Sequence, residues 1–466
     1  MQGQQSFFPS GGVISAVVVG AWVLLITLAA NSALAQTVTT VFNFNGANGA
    51  NPYFGTLIQG RDGKLYGTTY SGGAQGLGTV FRINPATNFE TVLHSFEGSD
   101  GAFPLAGLTL AGDGNFYGTT FYGGNSGAGV LYRMNSGGTF TVLHEFQRGA
   151  DGGYPYGPPI EASDGNLYGV TSGDNTEAPT LYEYTRSGQY SIVYTFDLAT
   201  TGWDAYGLIQ GIDGLLYVTA GAGGIASCGA IAKLTLSGAL KATHAFRCGH
   251  GGAYPTAPLI QASDGNYYGT TLSGGSRGDG VLFRLNAVNG ENVLYEFGSG
   301  SNSAWEPEAG LVQGSDGNLY GVTFAGMGGS HLYRWSFVNG YADLATFTGT
   351  GELSAGMTQN TNGVFYGPSW GFGTYNDGYV YAVDMGLAPF ITFVRARGKV
   401  GSSAQILGNG LLGATSVTFN GVPASFTAVS DTYLTAAVPA DATSGPVVVN
   451  TSDGTLTSNR SFTVAQ

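Results

Sequence analysis

Charge is scarce in this 466-residue chain: Asp, Glu, Lys and Arg together make up 10% of it, and only 16 residues are basic against 29 acidic. The net charge of −13 has the wrong sign for a phosphate backbone, and no cluster of Lys and Arg offsets it, so nucleic acid and anionic membrane surfaces are set aside as partners. Cysteine is nearly missing, with Cys228 and Cys248 the whole complement. Long apolar runs are missing beyond the N-terminus, so no second membrane span is expected.

The first 35 residues hold no Asp, Glu, Lys or Arg, and residues 13 to 30 form an almost unbroken apolar run that ends before Ala33-Leu34-Ala35. Small residues at those positions suit a signal peptidase, so residues 1–35 are read as an export signal cleaved after Ala35. The run could also span a bilayer and lacks a preceding Lys or Arg, which leaves an uncleaved anchor open. Glycine is abundant at 80 residues, yet Tyr and Phe supply 27 each. Many short strands joined by tight turns account for both, and the fold class expected is all-β.

One phrase recurs: DGKLYGTT at Asp62, DGNFYGTT at Asp113, DGNLYGVT at Asp164, DGLLYVTA at Asp213, DGNYYGTT at Asp264, DGNLYGVT at Asp316 and NGVFYGPS at Asn362. The spacing suits a four-stranded blade, and seven copies predict a seven-bladed β-propeller over residues 36–386. Within a unit, Asp-Gly makes the turn between the first two strands, a glycine-rich loop follows the second, and VLYRM and FTVLHEF read as the third and fourth. Residues 38 to 44 (VTTVFNF) carry the fourth-strand pattern with nothing before them, while the last unit has only three strands. The N-terminal strand is therefore expected to complete the last blade and remove two open edges.

The phrases VLHSFEGSDGAFPLAGL, DGNFYGTT and GVLYRM, with the GG-rich loop, resemble the GloVer tandem repeat of exported bacterial proteins. That resemblance covers roughly residues 38 to 385; it implies export and a propeller-like array and assigns no reaction. From Pro389 the period is lost. Residues 389–466 resemble an IPT/TIG domain, an immunoglobulin-like β-sandwich, through Gly408-Asn409-Gly410, VTFNGV and Ala437-Val438-Pro439. Such a module implies a spacer or adhesive unit.

Chemistry-bearing residues are few. Ser276 and Ser369 lie in G-x-S-x-G matches, but in strand-to-strand loops rather than the strand-to-helix elbow that exposes a nucleophile. His94, His144 and His244 occupy one position in three fourth strands, a blade apart, which is scaffold rather than a converging ligand set; His250 and His331 show no acidic partner in the sequence. No catalytic residue, metal or cofactor is assigned. Cys228 and Cys248 flank an antiparallel strand pair of the fourth repeat, so a disulfide is expected, with free thiols the alternative. The two long loop sets share one face and are rich in aromatics. Trp203, Asp204, Tyr254, Trp305, Glu306 and Trp370 are the candidate ligand residues there, set against a purely structural role in wedging blades. The chain is accordingly read as a monomeric, exported or cell-surface, non-enzymatic binding or adhesion protein for a glycan or a protein. A polysaccharide lyase or glycosidase is the alternative.

Overall fold

The Asp of each repeated phrase does two jobs in the computed structural model, which describes residues 37–149, 151–172, 178–286, 290–298, 304–348 and 353–465. Asp113 Oδ1 accepts the Asn115 backbone N–H at 2.9 Å, while Oδ2 accepts the Tyr117 hydroxyl at 2.8 Å. The same pair of bonds recurs at Asp164, Asp213, Asp264 and Asp316. The carboxylate thus holds the turn and the second strand together. The export-signal reading of residues 1–35 lies outside the described residues.

Among the described residues seven four-stranded antiparallel sheets follow one another, in a propeller-like arrangement. The second sheet is typical, with strands Thr109–Leu110, Phe116–Thr120, Val130–Met134 and Phe140–Glu145. Its third strand lays the Tyr132 ring over Gly118, where a Cβ would fall 2.4 Å from the hydroxyl oxygen. Tyr182 covers Gly169, Tyr333 covers Gly321 and Tyr381 covers Gly367 in the same way. The glycine of the LYG phrase is therefore a volume requirement of the ring opposite it. The fourth repeat proves the rule by exchange: Val218 replaces the glycine, Ala232 replaces the aromatic, and both are fully buried in one cluster.

Neighbouring sheets are held at three radii. Near the axis, a Gln or Glu at the end of one first strand accepts the backbone N–H beside the preceding sheet's turn. Gly112 donates to Glu161 at 2.7 Å, Ser163 to Gln210 at 2.8 Å, Ile212 to Gln261 at 2.8 Å, Ser263 to Gln313 at 2.9 Å and Ser315 to Gln359 at 2.8 Å. The latch between last and first sheets is the same, with Thr361 N–H on Gln59 Oε1 at 2.9 Å. Further out, the phenylalanine ending each fourth-strand phrase packs on the next sheet's third strand. Phe96–Tyr132, Phe146–Tyr182, Phe246–Phe283, Phe297–Tyr333 and Phe347–Tyr381 have centroids 5.5, 5.4, 5.1, 5.1 and 5.0 Å apart.

The strand Thr37–Asn43 pairs antiparallel with Tyr379–Asp384 and supplies the fourth strand of the last sheet, as expected from the complementary ends. Its Phe44 is fully buried and meets Phe81 of the first sheet at 5.1 Å, the contact made at the other junctions.

At the outer rim the fourth strands stack on one another: His94 lies on Phe140 at 3.8 Å, His144 on Tyr190 at 3.7 Å and Tyr295 on Tyr341 at 3.8 Å. His94 and His144 are tied to Asp100 and Asp151 at 2.9 Å, and His244 to Glu291 at 3.2 Å. Where the last sheet meets the first, Glu90 holds the register of Glu291, but Phe42 stands at the histidine's place. Glu90 Oε1 is buried without a hydrogen-bond partner, and burial pushes the carboxyl up from 4.5 to about 7. Because the folded pKa is raised, the stability contributed by the neutral acid is complete below about pH 4.5 and is lost as pH rises through 7. Glu90→Gln should stabilise the protein at pH 8 by about 1–2 kcal/mol, allowing for partial exposure, and change little at pH 4. Denaturant melts at the two pH values check this.

Beyond the repeats, two four-stranded sheets face each other. One holds Thr392–Phe393, Ser403–Leu407, Tyr433–Ala437 and Phe426–Ser430; the other holds Val422–Ala424, Ala414–Phe419, Val447–Thr451 and Gly454–Thr457. Alternation places Val417, Phe419, Val447 and Val449 inward against Ile406, Leu434 and Phe462. The expectation of a spacer is corrected here, because this domain is docked onto the turn-bearing face of the repeats. Leu407 and Tyr433 join the core of the first two sheets, and the Arg61 guanidinium lies 4.7 Å from the Tyr433 ring centroid. The junction between the first two sheets is the one where Leu110 replaces the latching Gln. There Gln405 Nε2 donates to Gly112 O at 2.7 Å and Arg61 donates to Gln405 Oε1 at 2.8 Å.

Candidate binding face and channel mouth

Five of the loops that lead into a sheet begin their inward turn with a residue that clamps two neighbours through its backbone. Phe103 N–H donates to Leu77 O at 2.8 Å and its carbonyl accepts from Phe121 N–H at 3.2 Å. Asn51, Tyr154, Tyr254 and Glu306 make the equivalent pair of bonds. To do so they adopt φ between +54° and +59°, a conformation that costs an L-residue about 1–2 kcal/mol. The following proline wedges against a glycine of the preceding sheet, as Pro104 does at Gly78 and Pro307 at Gly280. Of the sequence candidates, Tyr254 and Glu306 are therefore scaffold clamps first. Tyr254 still exposes 42% of its surface.

The residue after each proline turns toward the axis. These positions hold Tyr53, Leu105, Tyr156, Thr256 and Glu308, with Tyr206 at the same place in the fourth repeat, where Ala205 replaces the proline. Tyr156, Tyr206, Thr256 and Glu308 line a central cavity of about 380 Å³ to which all seven repeats contribute, from Phe54 in the first to Thr358 in the last. Asp204 shares the positive φ of the clamps, at +56°, on the eight-residue strand Trp203–Gln210. Its carboxyl is half-buried, and burial raises its pKa. The Tyr206 hydroxyl is pushed up by burial and then by Tyr156, Asp204, Glu308 and Tyr53 around it. Asp204 and Glu308, from the fourth and sixth repeats, thus act on one tyrosine at the mouth.

From that mouth an arc of rings runs across the face. Tyr206 meets Tyr156 at 4.8 Å, Tyr156 meets Phe121 at 5.0 Å, and Phe121 meets Tyr154 at 5.4 Å. Tyr154–Tyr122, Tyr122–Phe103, Phe103–Tyr70, Tyr70–Tyr53 and Tyr53–Trp370 follow at 5.7, 6.1, 5.0, 6.4 and 5.4 Å. Trp370 belongs to the arc. Trp203, Tyr254 and Trp305 do not, having no ring partner among the described residues. Sequence reasoning places Tyr53, Tyr156 and Glu308 on this face without choosing them as ligand residues, and it misses Tyr206. The available signal was the position two residues further on, where side-chain type varies from repeat to repeat while the clamp and proline recur.

The remaining chemistry is structural. Cys228 and Cys248 are disulfide-bonded, with Cα atoms 5.6 Å apart. Two histidines gain the acidic partners that the sequence did not reveal: His250 Nδ1 lies 3.7 Å from Glu296, and buried His331 Nδ1 lies 2.7 Å from Asp343. His331 Nε2 faces Met327 O at 3.2 Å, so both ring nitrogens meet acceptors and its pKa is raised, first by the hydrogen bond to Asp343. Ser369 is fully buried at the end of the strand Phe365–Ser369, and the Ser276 backbone is bound by Glu296 at 2.9 Å. Among the described residues no three His, Cys, Asp or Glu side chains converge as a metal site would require.

The Gloeobacter/Verrucomicrobia repeat matches residues 30–208 and 159–381. The chain belongs to that family. No curated protein is similar to it. Among solved structures, a fungal alcohol oxidase of the AA5 family in complex with copper is 13% identical with a TM-score of 0.52, covering 91% of this chain and 99% of its own. The extracellular domain of a hybrid two-component system from B. thetaiotaomicron gives 10% and 0.51, covering 91% of this chain, which spans 57% of that structure. Oligogalacturonate lyase from Vibrio parahaemolyticus gives 13% and 0.50, covering 74% and 93%. At these identities the likeness is one of fold alone. It gives the repeat family a propeller-like all-β body.

Proposed function

We propose that this protein is an exported glycan-binding protein that reads its ligand along the aromatic arc and at the channel mouth. The body is read as a seven-bladed β-propeller, the last domain as an immunoglobulin-like module of IPT/TIG type, and the first 35 residues as the export signal. One observation carries the reading: rings from Trp370 to Tyr206 form one connected path ending at two carboxylates. Aromatic faces stack on the apolar faces of sugars, and carboxylates, tyrosine hydroxyls and Thr256 bond their hydroxyls. Tyr206→Ala and Trp370→Ala should each weaken binding roughly tenfold, the equivalent of about 1.4 kcal/mol, without lowering the melting temperature. A glycan array followed by titration of each variant checks this; equal affinities in wild type and both variants would move the ligand off this face.

A second reading, a polysaccharide-active enzyme, is favoured by one feature, the pair Asp204 and Glu308 acting on Tyr206. Two carboxylates are the minimum for acid–base work on a glycosidic bond. Release of reducing or unsaturated ends, abolished in Asp204→Asn and Glu308→Gln, would establish it. Binding without turnover would leave the first reading standing.

A further inference from the structure

The opposite end of the channel holds a site of different chemistry. The docked C-terminal domain bonds the repeats on one side: Asn409 to Thr361, Thr432 to Arg61, Gln405 to Gly112, Arg395 to Ala162 and Arg397 to Ile212. Those contacts run from the seventh repeat through the first to the fourth. Between the domain and the second to fifth repeats a cavity of about 500 Å³ is left. Its size is that of a small-molecule site. Ser163, Ser263, Gly265 and Ser461 at its rim are exposed, so it opens to solvent.

Three arginines, Arg395, Arg397 and Arg460, line this cavity, and Glu161 is the only acid among its lining residues. In a chain of net charge −13 that local excess of positive charge is unusual. Arg395 is used structurally, on Glu161 and the Ala162 carbonyl. Arg397 donates to Ile212 O at 3.2 Å and Arg460 to Phe393 O at 3.0 Å, each through one nitrogen of a five-donor fork. Neither has a carboxylate within ion-pair distance among the described residues. Arg460 is exposed to solvent where it lines the cavity, so its free donors are open to a ligand. Ile160, Ile209, Ile260 and Val394, half-buried, are the apolar part of the same lining.

We propose that this inter-domain cavity binds a small organic carboxylate, its anionic group held by Arg397 and Arg460 and its apolar body lying on the isoleucine-rich wall. A planar guanidinium fork matches a carboxylate through two parallel hydrogen bonds, and displacement of water from the wall adds affinity. The site is independent of the aromatic face and stands or falls separately.

The test uses the full chain with hexanoate as probe, hexanol as the uncharged control and sulfate as an anion without an apolar body. Isothermal titration should give saturable hexanoate binding, at least tenfold weaker in Arg460→Gln and in Arg397→Gln. Each variant's melting temperature without probe identifies any that fails to fold, and Arg460→Lys, which keeps charge but not the fork, should bind weakly. No saturable hexanoate binding, equal binding of hexanol, equal binding of sulfate, or full binding by both Gln variants would each overturn the proposal.

Discussion

Deleting residues 37 to 46 is expected to lower the melting temperature sharply and in one cooperative transition, because the strand they carry closes the array. Pairing with Tyr379–Asp384 runs from Thr37 to Asn43, and beyond it Phe44 is buried on Phe81. Truncating a fully buried Phe costs about 3–5 kcal/mol, so Phe44→Ala alone should approach that figure. The deletion also leaves one newly unpaired sheet edge, the strand Tyr379–Asp384 that Thr37–Asn43 covers. Val38, at the exposed start of the strand, serves as the control, and Val38→Ala should cost less than about 0.5 kcal/mol. Calorimetry of the three variants measures the series. A deletion that melts with the wild type would show that the first and last sheets hold together through their inner contacts, such as Gln59–Thr361 and Asn360–Gly63.

Much of the body was legible because its rules are local and repeated. A turn needs Asp-Gly, alternation marks the strands, and seven copies average out the noise of any one. Phe116–Thr120 and Val130–Met134 fall where the pattern puts them. The first strands are the exception: the apolar stretch 106 to 111 (AGLTLA) suggests a six-residue strand, yet only Thr109–Leu110 is paired. The latches are visible in the sequence as a Gln or Glu three residues before Asp-Gly, but their partners belong to the preceding repeat, which period alone does not reveal. The departure of the fourth repeat from the LYG phrase is opaque in the sequence for a similar reason. Val218 and Ala232 exchange volume across two strands, and that compensation is visible only once their pairing is known.

The candidate face was half legible. The face itself followed from antiparallel connectivity, which sends both long loop sets the same way. What failed was the choice within each loop, where the aromatic-proline pair draws the eye although Tyr254 and Glu306 spend their backbone on clamping. Which residues stand at the axis depends on a change of direction after the proline, imposed by a positive φ that only the folded backbone shows. Docking of the C-terminal domain was not legible either. Its contacts rest on single residues such as Gln405 and Arg395, far from their partners in sequence.

That clamp makes the second large prediction, which separates backbone strain from packing within one loop. Gly127 and Gly129 both have positive φ, at +70° and +98°. A Cβ at Gly127 would meet nothing within 4 Å, so Gly127→Ala should cost about 1 kcal/mol, the price of the left-handed conformation. At Gly129 the Cβ would lie 2.2 Å from the Thr120 carbonyl oxygen and 3.1 Å from Pro155 Cδ. The oxygen belongs to the second strand and cannot rotate away, so Gly129→Ala should cost roughly 3–5 kcal/mol. Relief from the Thr120 oxygen must shift the Gly129 backbone, and with it the Pro155 loop packed on Gly129, which carries Tyr154 on one side and Tyr156 on the other. The substitution should therefore also break the arc between Phe121 and Tyr206, and glycan affinity should fall with stability in Gly129→Ala but not in Gly127→Ala. Urea melts and titration on the same samples read both effects, and equal costs at the two positions would mean that backbone conformation, rather than the wedge between sheets, sets the price of these glycines.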